Sequence, residues 1–169
     1  MKPGLYLLNC FWLILPLLIW NLVLGPHLTQ PAILSDAHSP KWLLILENLS
    51  RILVFALPLI LPLQIRDGWG KTGLTVYILG TLVYFASWLP LLLAPASAWS
   101  ASPIGLLAPR LTPFLPFLGI AIIGLARPYG LVAAVFIFFH TWHGVNNLVD
   151  IPVIGLGFTG FHHPVITSC

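Results

Sequence analysis

Residues 72–94 read TGLTVYILGTLVYFASWLPLLLA, a stretch without one charged side chain. An α-helix rises about 1.5 Å per residue, so about 20 apolar residues cross a hydrocarbon core of about 30 Å. A soluble protein of this length would cut its apolar sequence into shorter, amphipathic pieces. This stretch is therefore read as a transmembrane helix, and the chain around it has the same character. It is 59% hydrophobic and 7% charged, with a mean hydropathy of +0.99. Soluble domains carry about 25% charged residues, and the few charges here cannot cover a globule in water.

Four further segments join residues 72–94. The first runs over about residues 4–25 and ends at Pro26. The second covers 41–65, closed by Arg66-Asp67-Gly68. The fourth, 104–126, contains Pro109, Arg110, Pro113 and Pro116. Because proline removes backbone donors and kinks helices, its first half is expected to break or to lie along the interface. The fifth covers 129–149. Residues 1–149 thus form one membrane domain, and 150–169 form a Gly-rich C-terminal tail. A polar loop with His27, Asp36 and His38 separates the first two spans. The apolar N-terminal stretch is longer than the core of a usual signal peptide, and no small-residue cleavage site follows it. It reads as a retained helix.

Orientation follows from Lys and Arg near the helix ends. Lys2, Arg66, Lys71 and Arg127 share the side of the N-terminus and the short turns, while Lys41 and Arg110 fall on the other. Trp20, Trp42, Trp88 and Trp99 would line the outer interface. The fold class is all-α: an integral membrane helical bundle of about five transmembrane helices, N-in and C-out. Cys10 and Cys169 then lie on opposite sides and cannot pair. The net charge of +3 comes from scattered residues, so no nucleic acid partner is expected. The expected partners are the lipid bilayer, other membrane proteins or further copies of the chain.

The rise per residue converts this topology into depth. Glu47 lies roughly 9 Å inward of Lys41 and Arg51 roughly 15 Å inward. The fifth helix ascends from the opposite side, which brings His140 level with Arg51 and His143 level with Glu47. Glu47 and Arg51 share a helix face, as do His140 and His143. A charge in hydrocarbon is expensive and such groups face the bundle interior in pairs. An outer-half polar cavity is expected here, built from Glu47, Arg51, His140 and His143 and supplemented by Tyr84 and Asn146. It would bind a small molecule, an ion or a lipid head group. Two bland readings compete. Residues 41–51 could form an interfacial helix whose charges snorkel to water, or the ion pair could only fix helix register.

His140 and His143 with Glu47 could alternatively hold a transition metal in a membrane metalloenzyme or redox protein. A lone H-x-x-H is a weak signal, and the remaining histidine pair, His162-His163, lies in the tail. Haem ligated by two histidines needs a second from a facing helix, and the second helix offers none. A metal or haem cofactor is not favoured. Asn48-Leu49-Ser50 matches a glycosylation sequon within a span. No phosphate loop and no nucleophile motif occurs.

Several strings are familiar in type: residues 47–58 (ENLSRILVFALP), 84–88 (YFASW), 97–100 (SAWS) and 105–109 (GLLAP), with the His140/His143 pair. Together they resemble a group of small uncharacterised bacterial polytopic membrane proteins over roughly residues 5 to 147. The resemblance implies a bacterial inner-membrane location, multi-pass, and carries over no catalytic residue.

Overall fold

The computed structural model describes residues 9–27 and 39–149, and every described element is helical apart from turns and one isolated bridge. Six α-helices follow in order: α1 (Phe11–Leu24), α2 (Lys41–Ala56), α3 (Gly68–Leu93), α4 (Pro103–Leu111), α5 (Phe114–Ile123) and α6 (Arg127–Val149). Three helical stretches are long and apolar enough to cross a membrane: Lys41–Leu59, Gly68–Leu93 and Pro103–Ile123. Lys2, Asp36, His38, His162, His163, Cys169 and the whole tail lie outside the described residues.

The boundaries are set by caps and prolines. Helix α2 begins at Lys41 as expected but does not reach Ile65. It tightens into the 3-10 turn Leu57–Leu59 and stops, because Pro58 and Pro62 remove donors in succession. The chain then runs alongside the start of α1, with Cys10 N–H donating to the Leu61 carbonyl at 2.9 Å. Helix α3 starts earlier than the apolar run, since the Asp67 carboxylate accepts from Gly70 N–H at 2.7 Å and caps it. The first half of the fourth segment, expected to break or to lie along the interface, is the continuous helix α4, and the interruption falls after it, at Thr112-Pro113. Helix α5 ends where Ala126 N–H reaches back to the Ala121 carbonyl at 2.9 Å. Leu125 takes the left-handed position there, φ 49°, a conformation that glycine would adopt without strain.

Helices α3 and α5 pack antiparallel at backbone distance. A Cβ added to Gly80 would lie 2.6 Å from Leu115 Cβ, and one added to Gly119 would lie 2.5 Å from Tyr77 N. Small residues that let backbones approach are the usual means of helix contact where lipid removes the hydrophobic drive. Helix α1 closes over α3 through side chains. Trp20 stacks on Phe85 at 3.9 Å, and the Tyr77 hydroxyl donates to the Leu13 carbonyl at 2.7 Å. Helix α6 lies antiparallel to α2 and touches α4 and α5. The core runs through Ile14, Val54, Phe117, Ile120, Tyr129 and Ala133. Trp88, read as an interfacial anchor, is only 6% exposed and sits edge-on to Tyr84 instead.

Candidate functional site

Helices α2 and α6 meet along one seam, and its polar residues are those singled out by depth. Glu47 and Arg51 stand one turn apart on α2, and the Arg51 guanidinium bonds Glu47 Oε1. The same oxygen lies 2.8 Å from His140 Nδ1, and Glu47 Oε2 lies 2.5 Å from His143 Nδ1. The side chains are 3% exposed for Glu47, 11% for His143, 24% for His140 and 42% for Arg51. The cluster thus opens from a buried carboxylate toward a half-exposed guanidinium.

The expected pairing, Glu47 with His143 and Arg51 with His140, holds only in its first half. Glu47 takes both histidines. A carboxylate has about four acceptor positions, whereas a guanidinium only donates. The carboxylate is the one group that can gather a second imidazole and the arginine together. When ionised it can only accept, so each Nδ1 facing it carries the proton.

Neighbouring side chains hold these groups in place. Ser50 Oγ donates to the carbonyls of Leu46 and Glu47 at 2.8 and 3.0 Å, keeping its hydroxyl within α2. Phe136 stacks under His140 with 5.3 Å between ring centroids, and the Arg51 guanidinium carbon lies 5.9 Å from the same ring. Trp42 meets Trp142 edge to face at 5.9 Å across the seam.

Arg110 is the addition that the sequence did not suggest. Within the fourth segment it is expected as one of the two outer-side charges, but it sits at the end of α4 and donates to the His140 carbonyl at 3.4 Å. Its side chain lies across Gly144, where an added Cβ would be 2.7 Å from Arg110 Cδ. The signals were the Thr112-Pro113 break, which frees α4 to turn inward, and a glycine one turn beyond His140.

Tyr84 and Asn146 are placed differently. The Tyr84 hydroxyl donates to Asn21 Oδ1 at 2.8 Å, at the α1–α3 contact. Asn146 is half-buried one turn beyond His143 and is not among the groups bonded to the carboxylate. A groove of about 420 Å³ also lies beside the cluster, between α4 and α6. It is lined by Leu111, Ile137, Phe138, Thr141, Trp142 and Val145, an apolar set apart from one hydroxyl.

Among the described residues, no group of three or more His, Cys, Asp or Glu is arranged to hold a metal ion. In the Glu47 cluster both Nδ1 atoms point at carboxylate oxygens rather than toward a shared point. No family model matches the chain, and no curated protein or solved structure matches it.

Proposed function

We propose that the chain is a five-span protein of the bacterial inner membrane, N-terminus inside. Its Glu47–Arg51–His140–His143 cluster, in the outer half, would bind a small molecule, an ion or a lipid head group. One observation carries this reading: a carboxylate and a guanidinium, on a stretch apolar enough to lie in hydrocarbon, converge with two imidazoles of α6. Ionisable groups at such depth are costly, and they typically serve a ligand or ion. Packing alone would be served as well by apolar residues of similar volume.

The orientation draws support from the ends of the bundle. Arg66, Lys71 and Arg127 flank the starts of α3 and α6, at the end where α1 begins. With Arg110 turned into the bundle, Lys41 is the remaining cation of the two assigned to the outer side. That asymmetry favours the N-in arrangement. A cysteine placed at Lys71 should be protected from an external thiol reagent, and Cys169 should be labelled. The reverse pattern would invert the orientation.

For the ligand, native mass spectrometry of the full chain released from lipid nanodiscs is the direct test. The wild type should retain a stoichiometric bound species that His143→Phe loses while still unfolding cooperatively. If both proteins carry the same species, or neither carries any, the ligand reading fails. A structural subunit is the second reading, favoured by one fact. Glu47 already has three partners from its own chain.

A further inference from the structure

The face of α2 opposite the cluster raises a separate question. Leu43, Glu47, Ser50 and Val54 are the buried residues of α2. On the far side, Lys41, Ile45, Asn48 and Ile52 follow one another at spacings of four, three and four. That spacing is the a/d seam of a left-handed helix pair. With Ile45 and Ile52 at a and Asn48 at d, the buried residues of the bundle occupy c and f, directly behind. Ile45 is 65% exposed and Ile52 is 63% exposed.

Asn48 is out of place on such a face. It is exposed and lies roughly 10 Å inward of Lys41, too deep for a short side chain to reach water. Asn21 shows how this fold satisfies a carboxamide when it can. It donates to the Leu17 carbonyl at 2.7 Å and accepts from Tyr84. No hydrogen bond engages Asn48 among the described residues. In lipid an unsatisfied amide is costly, and asparagine is among the residues that hydrogen-bond across helices there. A carboxamide both donates and accepts, so its natural complement is another carboxamide.

We propose that this stripe is a homodimer interface, α2 packed on α2 of a second copy, with the two Asn48 carboxamides bonded across the two-fold axis. Copies inserted with one topology run parallel, so residue 48 meets residue 48 at the same depth. Arg51 falls at g, where its cross-helix neighbour is Ala56 at e of the next heptad, so the two arginines do not meet; Lys41, at d, lies at the start of α2, where its long side chain can turn to water. The contact needs α2 in the bilayer and is independent of what the Glu47 cluster binds.

The test uses the full chain in phosphatidylethanolamine/phosphatidylglycerol vesicles, with Cys10→Ala and Cys169→Ser as background. Ile45→Cys and Ile52→Cys should form covalent dimers on oxidation, and Leu46→Cys and Leu53→Cys, a quarter-turn away, should not. Dimerisation measured by energy transfer between labelled copies should weaken about 3- to 20-fold in Asn48→Val, the span of one interhelical hydrogen bond. Asn48→Gln should recover part of it. Unfolding temperatures of these surface variants check that the fold is intact. A chain that stays monomeric at high protein-to-lipid ratio overturns the proposal. So does equal crosslinking at Leu46→Cys, unchanged dimerisation in Asn48→Val, or crosslinking in native membranes to a different protein alone.

Discussion

The α3–α5 and α2–α6 seams are both close antiparallel helix contacts, yet they are built on opposite principles. At α3–α5, Gly73, Gly80 and Gly119 let backbone meet backbone, and the contact is one of shape. At α2–α6 a buried carboxylate holds two histidines and an arginine. The first kind of seam is the cheapest way to join helices in lipid. The second carries a desolvation cost that the first avoids. A protein that can pack by shape elsewhere does not need charges to hold two helices together, and this is why the α2–α6 seam is read as a site.

Overfilling the shape-built seam should have the largest effect. Gly119→Leu, facing Tyr77 backbone, is expected to destabilise by about 3 kcal/mol, measured by thermal unfolding in detergent. A loss below about 0.5 kcal/mol would mean that the helices are not in backbone contact.

At the charged seam, Glu47→Gln should lose about 2 to 3 kcal/mol, less than a fully buried pair would lose because Arg51 is 42% exposed. Arg51→Leu should lose about 1 kcal/mol. The double variant should lose less than the sum, since neither partner is left stranded. Additive losses would show that the carboxylate and guanidinium do not interact.

An effect as small as that of Arg51→Leu is expected at the neutral α1–α3 contact. Tyr84→Phe removes a hydroxyl bonded to Asn21 and should lose about 1 kcal/mol. It should leave any species bound at the Glu47 cluster in place. Loss of that species would return Tyr84 to the site.

The difference between the seams also explains what was legible in the sequence. Charged residues in an apolar run stand out, and a fixed rise per residue puts Glu47 and Arg51 level with His143 and His140. The meeting of α2 with α6 could therefore be anticipated. Which atom bonds which could not, because it depends on how far each side chain reaches around its helix. The glycine seam was present as the seven-residue spacing of Gly73 and Gly80, but glycine is frequent in membrane helices and the spacing names no partner. Arg110 read as an outer-side charge because the prolines around it suggest a segment that breaks or lies along the interface. A broken helix can instead turn a charge inward, and only the tertiary contact with Gly144 shows that it does. The end of α2 was readable from Pro58 and Pro62, but the apolar run up to Ile65 masked it.

The central claim is that the Glu47 cluster is retained for a ligand and not for stability. Replacing it whole, with Glu47→Leu, Arg51→Leu, His140→Phe and His143→Leu together, separates the two most directly. Thermal unfolding and native mass spectrometry are read on the same sample. The account predicts an unfolding temperature equal to or above that of the wild type, together with loss of the bound species. A variant that unfolds well below the wild type, from a wild type that carries nothing, would contradict it and leave the cluster as a structural clasp.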